Sequence, residues 1–493
     1  MNYRPLLLCC LLASFLLPVA AQRIAVLSDL HLLAPELIQP GAAIDRVDNT
    51  DMKMVRQSDD LATSITDTLL AVHPNLVLIS GDLTYNGERA SHLRLLQHLQ
   101  RLHEAGIAVC VVPGNHDLLN PHARSFFGDQ AMEADYLSPK DFPSLYDPLV
   151  TVPSVTVPEG SSPLLRDSLS LSYAASPLPS LVILGIDSNR YGDNLLRRRG
   201  DERDEYHTDG YLRPETLRWL CDRATEATKA GKLVIAVMHH HLVEHFDGES
   251  VLLPQYITPD SETTAAALAT AGVRVVFTGH LHITDAVTSP SASSTDPSVT
   301  ITDISTGSAS TYPFPLRFGT IDKEGKLTIE TCFLHPSDKL VADGRSQIEK
   351  GVNAIALMVA RRAWDRFGKQ LTNVAGMLAL LGSETRLPSN SQELAQLMTR
   401  EMYSAILHCL IAVTSGNEPE YAPNLETELR EAAVRALTSV LPSVAADTAQ
   451  EIIENLWPRV QPLIVSVLKD INRADTNDES RTDDHQLVIS LKP

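Results

Sequence analysis

The chain has 493 residues, of which 44% are hydrophobic and 21% are charged. That length exceeds the range over which one hydrophobic core usually grows, so we expect a globular protein with two domains. With 61 acidic against 41 basic residues the net charge is −20, which argues against nucleic-acid polymers and anionic membranes as habitual partners.

The N-terminal segment has the pattern of a secretory signal peptide. One basic residue, Arg4, precedes an apolar stretch over residues 5–17, and the small residues Ala20 and Ala21 come just before Gln22. This order is typical of a cleaved export signal. We therefore predict a signal peptide over residues 1–21 and a secreted or periplasmic mature protein. The alternative, an uncleaved membrane anchor, is disfavoured because almost no linker separates the segment from the first predicted strand.

Five apolar runs rich in β-branched residues each end in a short polar motif. Strands buried on both faces of a sheet read as such continuous runs, and an open α/β sheet collects its ligands at the carboxyl ends of its strands. The runs cover residues 23–27, 75–80, 107–112, 232–238 and 273–278. The side chains that follow them are Asp29, His31, Asp82, Asn115, His239, His280 and His282.

These seven side chains have the chemistry of a metal centre. Carboxylate and amide oxygens suit hard divalent ions, and imidazole suits manganese, iron, zinc and nickel. Seven ligands are too many for one tetrahedral ion but about right for two ions that share a carboxylate and keep positions open for water and substrate. Two ions roughly 3.5–4 Å apart can clamp a phosphate and turn a bridging water into a hydroxide nucleophile.

With these motifs the chain resembles the calcineurin-like metallophosphoesterase superfamily over residues 22–335. The shared pattern is D-x-H, GD, GNHD, a lone His after a strand, and GHxH, in that order, and five ordered motifs are far more specific than one. The resemblance implies an α/β fold, a two-sheet sandwich, and a phosphoric ester hydrolase. It further implies a first ion on Asp29, His31 and His282, a second ion on Asn115, His239 and His280, and Asp82 as the bridge.

The resemblance also gives His116 a role. In the family this residue of the GNHD motif hydrogen-bonds the phosphoryl group and acts as a general acid towards the leaving alcohol, and an imidazole suits that task because its pKa lies near neutral pH. The pattern is nearest to the phosphodiesterase branch, so a small phosphodiester is the favoured substrate. A phosphomonoesterase or nucleotidase, or a non-catalytic binding protein on this fold, are the alternatives.

Two motifs depart from the best-known branches. Residues 239–242 read His-His-His-Leu, where phosphodiesterases usually have His-His-Pro-Pro. The GD motif lacks the Arg-Gly continuation of the Ser/Thr protein phosphatases, which disfavours that activity. His240, beside the predicted ligand His239, is a candidate substrate contact. Arg317 is a second candidate substrate contact, because its forked donors match phosphate. Equally, its segment can simply connect to the next strands without contacting substrate.

The remaining elements are predicted from hydrophobic period and composition. Apolar residues at three- and four-residue spacing indicate helices over residues 54–72, 88–105 and 214–230, and residues 180–187 read as a strand. Residues 121–179, rich in Pro, Ser and Asp, are interpreted as an insertion over the active-site face. The charged segment 195–205 is interpreted as a solvated loop.

A change of composition near residue 338 indicates an appended helical domain. Its helical segments are 347–370, 391–413, 426–441 and 448–471. We predict a catalytic domain over residues 22–337, a helical domain over 338–473, and an acidic tail over 474–493 that ends in a strand at a sheet edge, 485–491. A packing or substrate-positioning role for the helical domain is preferred over partner docking.

Overall fold

A computed structural model of the chain describes residues 21–152, 163–191, 207–293, 295–380, 386–416, 418–442, 444, 446–468 and 485–492. Residues 1–20 of the predicted signal peptide, the charged segment 195–205 and the acidic stretch 474–484 lie outside these residues. Every helix in the described part of the chain is too short or too polar to span a membrane.

The strands lie in the N-terminal two thirds of the chain, apart from the last one. In chain order they are β1 Gln22–Leu27, β2 Leu76–Ile79, β3 Ala108–Val111, β4 Arg124–Phe127, β5 Gln130–Glu133, β6 Leu164–Arg166, β7 Tyr173–Leu178, β8 Leu181–Ile186, β9 Leu233–Met238, β10 Val275–Thr278, β11 Asp285–Thr288, β12 Thr302–Ser305, β13 Pro315–Ile321, β14 Lys326–Phe333 and β15 Gln486–Ser490. Among described residues, one sheet has the order β15-β14-β13-β1-β2-β3, a second has the order β11-β12-β10-β9-β8-β7-β6, and β4 pairs with β5.

The α-helices cover the sheets and then form the C-terminal region. They are α1 Ala42–Asp48, α2 Ser58–Val72, α3 Arg89–Glu104, α4 Phe142–Tyr146, α5 Pro214–Lys229, α6 Glu249–Leu252, α7 Ser261–Thr270, α8 Asp338–Leu380, α9 Ser391–Ser415, α10 Glu418–Val440 and α11 Ala446–Leu468. Pro214 occupies the first turn of α5, where the missing N–H of proline costs no helical hydrogen bond.

Alternation of side chains along the strands produces a layered core. In β1, Ile24 and Val26 pack in one core with Val237 of β9, between the two sheets. The alternate residues Ala25 and Leu27 face the opposite way and pack with apolar residues of α2 and α3. The outer face of the second sheet is covered by α5 and α7. The result is a helix–sheet–sheet–helix sandwich with a helical C-terminal region, which confirms the predicted fold class.

Parallel strands carry the predicted motifs to one edge of this sandwich. β1, β2 and β3 run parallel in the first sheet, and β8, β9 and β10 run parallel in the second. Hydrogen bonds join the strand ends across the two sheets. The Ser80 hydroxyl donates to the carbonyl of Thr278 (3.1 Å), and Nδ1 of His239 donates to the carbonyl of Ser80 (2.8 Å). The carboxyl ends of all five motif-bearing strands therefore meet.

Two predicted segments differ in the structure. Part of the supposed insertion 121–179 is β7, a largely buried strand between β6 and β8. Its sequence, Tyr-Ala-Ala-Ser-Pro-Leu, has no β-branched residue and a proline that fits only because the register shifts between Ala175 and Leu178. α8 begins at Asp338, nine residues before the predicted start. The prediction missed these first turns because their apolar residues follow no clear helical period.

The C-terminal helices contact the sandwich through α8 and α9. The backbone N–H of Thr284, two residues after the last motif, donates to the carbonyl of Val413 (2.9 Å), and its hydroxyl donates to that of Thr414 (2.8 Å). Both carbonyls belong to the last turn of α9, where helical carbonyls have no intrahelical partner. At the other edge, β15 pairs antiparallel with β14, as expected for the final strand.

Candidate metal centre

All seven predicted ligands and His116 lie together where the five strands end. Three overlapping groups each place one donor atom per residue within 4.8 Å of one another: Asp29, His31 and His282; His31, Asp82 and His116; and Asp82, His239 and His280. Asn115 joins the last group, because its Oδ1 lies 2.9 Å from Nε2 of His239. The sequence motifs therefore converge into one cluster.

Asp82 lies between the two halves of this cluster. Its Oδ2 is 3.6 Å from Nε2 of His31, and its Oδ1 is 3.4 Å from Nε2 of His239. On the first side, Nε2 of His282 lies 3.1 Å from Nε2 of His31 and 3.2 Å from Oδ1 of Asp29. A carboxylate with one oxygen towards each group has the geometry of a bridge between two ions.

Five of the predicted ligands have a strained, left-handed backbone conformation. Positive φ angles occur at Asp29 (53°), His31 (43°), Asp82 (46°), His280 (69°) and His282 (62°). Each such non-glycine conformation costs on the order of 1 kcal/mol or more and persists only where the surroundings impose it. The strain arises where the chain turns at a strand end and sends two side chains from one short loop, such as Asp29 and His31, to the same point.

Two motif glycines are required by close packing behind the ligands. Gly81 has a φ of +95°, and a Cβ there would lie 2.5 Å from Nδ1 of His239. At Gly279 a Cβ would lie 1.9 Å from the Ser28 hydroxyl oxygen. Real Cβ atoms do not come so close, so any side chain at either position would displace the strand ends that carry the ligands.

Asp29 is held by the last motif and by two serines outside the five motifs. Its Oδ2 accepts a hydrogen bond from the backbone N–H of His280 (3.0 Å), which ties the first motif to the last. Its carbonyl accepts from the hydroxyls of Ser308 (2.8 Å) and Ser310 (3.1 Å). The sequence feature that could have identified these serines is the run of small polar residues directly after β12. The ligand motifs likewise follow directly after strands.

Asp117, the last residue of GNHD, fastens the second and third motifs together. One of its oxygens accepts from the backbone N–H groups of Leu83 (3.1 Å) and Gly114 (2.8 Å), and the other accepts from the N–H (2.9 Å) and hydroxyl (2.8 Å) of Thr84. Burial, together with the charge of Asp82, raises the pKa of Asp117 to about 7. This residue supports the ligands without being one of the predicted donors.

The electrostatics of the cluster suit bound cations. Burial lowers the pKa of His31 well below its ordinary value, with a further contribution from the ammonium of Lys53, and burial likewise lowers that of His280. Neutral imidazole is the form that binds a metal. Although burial opposes it, the charge of Asp82 raises the pKa of His239 to about 9. The carboxylate of Asp82 therefore favours a positive charge beside it, and a metal ion would supply that charge.

The donor set fits two ions when tested atom by atom. Oδ1 of Asp29 is buried and has no hydrogen-bond partner among the described residues, and the two imidazole nitrogens of His31 and His282 face each other. A cation between these atoms would satisfy all three. Nε2 of His280 donates to the carbonyl of Gln255 (3.1 Å), which leaves Nδ1 as its ligand atom and is the usual second contact of a metal-bound imidazole.

His116 is oriented by its backbone surroundings. Its Nδ1 lies 2.7 Å from the carbonyl of Tyr85 and 3.0 Å from Oδ1 of Asn86. Because a carbonyl only accepts, Nδ1 carries a hydrogen and donates. Nε2 then points to the cluster, 3.9 Å from Oδ2 of Asp82. Burial lowers the pKa of His116 to about 4, against the opposing charge of Asp82 and with a further lowering by Lys53.

The two candidate substrate contacts occupy positions that do not suit that role. His240 is fully buried, and its ring nitrogens are engaged with the Ser188 hydroxyl and the Thr208 carbonyl, both at 2.8 Å. Arg317 is also fully buried, and its guanidinium donates to the carbonyl of Ser305 (2.6 Å) and the hydroxyl of Thr331 (2.8 Å). The His240 ring links two loops, and the Arg317 guanidinium links β13 to the end of β12 and to β14, so both side chains are engaged inside the protein.

The histidine run after β9 is held by a buried polar network. Nδ1 of His241 lies 2.6 Å from a Glu249 oxygen. Nδ1 of His245 lies 2.7 Å from Asp285, and its Nε2 lies 3.5 Å from Asp303. Although burial opposes it, Asp303 and Asp285 raise the pKa of His245 well above its ordinary value. Of the three consecutive histidines, His239 alone has a donor atom in the metal-binding groups of the described residues.

A family model for calcineurin-like phosphoesterases matches residues 22–284, more than half of the 493 residues. The chain belongs to this family. The matched range runs from β1 to just past the GHxH motif, so it contains all five motifs. Membership implies a metal-dependent hydrolase of phosphoric esters that acts on small phosphate-ester substrates and typically binds two metals.

This calcineurin-like phosphoesterase is similar to several solved structures. A dimetal phosphatase from Danio rerio is 15% identical, with 63% of this chain and 96% of that chain covered and a TM-score of 0.42. The 5'-nucleotidase precursor from Thermus thermophilus is 13% identical, with 69% and 60% covered and a TM-score of 0.34. GAP50 of Plasmodium is 12% identical, with 64% and 85% covered and a TM-score of 0.32. No curated protein matches the chain.

Proposed function

We propose that this phosphoesterase hydrolyses a small phosphodiester at a dinuclear centre. The observation that carries the proposal is Asp82, whose two oxygens face two separate groups of imidazoles while Nε2 of His116 lies 3.9 Å from one of them. A single structural metal would need neither a shared carboxylate nor a neighbouring imidazole with a fixed tautomer.

The proposed ligand sets follow the two sides of Asp82. Asp29, His31 and His282 would hold one ion, and Asn115, His239 and His280 would hold the other, with Asp82 common to both. Manganese, iron, zinc and nickel all accept these donors. When bound, two such ions would supply positive charge for the phosphoryl oxygens. They would also lower the pKa of a bound water, so that hydroxide is available near neutral pH.

His116 is proposed as the general acid. Its Nδ1 donates to the carbonyl of Tyr85, so Nε2 is the ring nitrogen that faces the cluster, 3.9 Å from Oδ2 of Asp82. A phosphate anion bound there favours the imidazolium form, because an opposite charge stabilises the charged state. The Nε2 proton would then pass to the oxygen of the departing alcohol as the bond between that oxygen and phosphorus breaks.

Sequence supports a diester over the other phosphate esters. The five motifs are nearest in pattern to the phosphodiesterase branch, and the GD motif continues as Leu83-Thr84 rather than Arg-Gly, which disfavours protein phosphatase activity. The net charge of −20 argues against a polyanionic substrate. A small diester, such as a cyclic nucleotide, carries one negative charge and is compatible with both features.

Two chromogenic esters test the substrate class. Mature protein stripped of metal and re-supplied with manganese, zinc or iron would be assayed on bis-p-nitrophenyl phosphate and on p-nitrophenyl phosphate. We expect metal-dependent turnover with a higher kcat/KM for the diester. A higher kcat/KM for the monoester would replace the proposal with a phosphomonoesterase. The absence of turnover with every metal would indicate a binding protein.

We further propose that the protein is exported. The segment over residues 1–21 supports this, since it combines Arg4, an apolar stretch and small residues before Gln22. Expression of the full chain in a bacterial host, followed by intact-mass analysis of the extracytoplasmic fraction, would test it. We expect a mass that begins at Gln22, and a full-length cytoplasmic product would contradict the proposal.

A further inference from the structure

The loop between α1 and α2 brings a lysine to Tyr85, the residue whose carbonyl orients the proposed general acid. The Lys53 side chain is only 13% exposed, which is unusual for lysine because burying an ammonium is costly unless it is compensated. Its Nζ lies 5.6 Å from the centre of the Tyr85 ring, and the carbonyl of the same Tyr85 accepts the hydrogen bond from His116. The lysine and the proposed general acid therefore both contact Tyr85.

The position of Lys53 is fixed by its own loop. The two oxygens of Asp51 are both used: one accepts from the backbone N–H of Lys53 (3.0 Å), and the other lies 3.4 Å from its Nζ. The next residue, Met54, donates from its backbone N–H to the carbonyl of Ser310 (2.9 Å). Ser310 in turn donates to the carbonyl of the predicted ligand Asp29. The loop is therefore hydrogen-bonded directly to the segments that support the cluster.

Electrostatics agree with this placement. After burial, the ammonium of Lys53 is among the causes that lower the pKa of both His31 and His116. His31 belongs to the first predicted metal group, and His116 lies beside Asp82. This agrees with the contact between Lys53 and the Tyr85 ring, next to the backbone carbonyl that orients His116.

We propose that Lys53 binds a non-bridging oxygen of the substrate phosphate and so forms part of the substrate site. The inference rests on the proposed function, because it assumes that phosphate binds at the cluster. A partly buried ammonium with one carboxylate partner at 3.4 Å retains donors for a second anion. The charge-assisted hydrogen bond it would make to phosphate is stronger than a neutral one.

The helical region takes part in this site through the same loop. Gln347 of α8 is buried, and its side-chain amide donates to the carbonyls of Asp48 (2.6 Å) and Asp51 (2.5 Å). Met52 packs in an apolar cluster with Ile348 and Val352 of the same helix. α8 therefore sets the position of the loop that carries Lys53, which gives the helical region a substrate-positioning role.

Binding of inorganic phosphate to the manganese-loaded full-length protein tests the inference without requiring turnover. We expect Lys53→Met to weaken phosphate binding, measured by calorimetry, roughly 10- to 100-fold, as for the loss of a hydrogen bond to a charged group. Lys53→Arg keeps the charge and should remain within a few-fold of wild type. Lys140→Met removes an exposed lysine elsewhere and is the matched control.

Three further readouts separate binding from a structural role. Lys53→Met should keep the metal content and melting temperature of wild type, and on bis-p-nitrophenyl phosphate it should raise KM more than it lowers kcat. Gln347→Ala should weaken phosphate binding in the same direction but less, whereas Ser346→Ala, an exposed neighbour on α8, should not. If Lys53→Met does not fold, the comparison of Gln347→Ala with Ser346→Ala tests the inference in its place.

The outcomes of this experiment are distinct from those of the function test. Phosphate affinity of Lys53→Met within twofold of wild type would overturn the inference even if the enzyme hydrolyses diesters. A loss of affinity that parallels a loss of metal would also overturn it, because the effect would then come through the cluster. If no ester is hydrolysed, the proposed function fails, and the phosphate titrations still decide whether Lys53 binds the anion.

Discussion

Asp82 is the residue on which both halves of the cluster depend, because each of its oxygens faces a different group of imidazoles. Each of the other predicted ligands offers its donor atom to one side only. Asp29, for example, lies with His31 and His282, although its second oxygen also accepts from the backbone N–H of His280. We therefore expect substitutions of the different ligands to have unequal effects on metal content and turnover.

Asp82→Ala should lose metal from both sides and show the lowest turnover of the ligand variants. The physical reason is that one change removes a donor from each ion and leaves buried imidazoles without their compensating charge. Metal content by mass spectrometry and turnover on the diester check this. Asp67→Asn, at an exposed ion pair on α2, is the control. A variant that retains two metals and near wild-type turnover would disprove the bridging role.

His116→Ala should keep its metal but slow hydrolysis by about 10²–10⁴-fold if the imidazole acts as a general acid. The loss should shrink for esters whose alcohols are good leaving groups, because these depart without a proton. A series of aryl and alkyl diesters would measure the trend. An equal loss across the series would indicate that His116 only binds the phosphate.

At the scale of elements, the loops after β2 and β3 are fastened by buried carboxylates. Asp117 joins the GD and GNHD motifs, and Glu88, at the start of α3, accepts from the backbone N–H groups of Asn86 (2.9 Å) and Arg124 (3.2 Å). Asn86 in turn contacts His116. The orientation of the proposed acid thus depends on a group buried behind it.

Glu88 gives this arrangement a pH dependence. Burial raises its pKa from 4.5 to about 7, so the folded state holds the proton more tightly than the unfolded state does. Its contribution to stability is complete below about pH 4.5 and is lost as pH rises through 7. Relative to Glu88→Gln, which does not ionise, wild type should lose roughly 2–3 kcal/mol of unfolding free energy between pH 4.5 and 8.

Chemical denaturation in a chelator measures this difference without a contribution from metal release. Glu104→Gln, at the exposed end of the same helix, should show no such trend. A constant difference between wild type and Glu88→Gln across the pH range would mean that Glu88 is not buried in solution as it is in the structure.

The elements also show what the sequence could and could not predict. Asp29, His31 and Asp82 were identifiable because each lies two to four residues after a strand end, and the strand pattern is local. Lys53 and Gln347 were not identifiable, because they are far apart along the chain. Only the packing of α8 on the loop of Lys53 connects them. The chemistry of Arg317 makes it a candidate phosphate contact, with a plain strand crossing as the equal alternative, and its burial between strands depends on the fold.

At the scale of the whole molecule, the two sheets and the helical region act on one edge. β1, β2 and β3 bring four of the seven predicted ligands, and β9 and β10 bring the other three. The last turn of α9 accepts hydrogen bonds from Thr284, just past the GHxH motif. α8 holds the loop of Lys53. If Lys53 binds the substrate phosphate as proposed, the helical region positions part of the substrate site through Gln347.

The most direct test of the dinuclear centre is a metal titration of the stripped full-length protein. Bound manganese and turnover of bis-p-nitrophenyl phosphate would be measured in the same samples. We predict that activity is negligible in the stripped protein and reaches its maximum at two ions per chain. Full activity at one ion per chain, or activity that persists after the metal is removed, would contradict the two-ion centre built around Asp82.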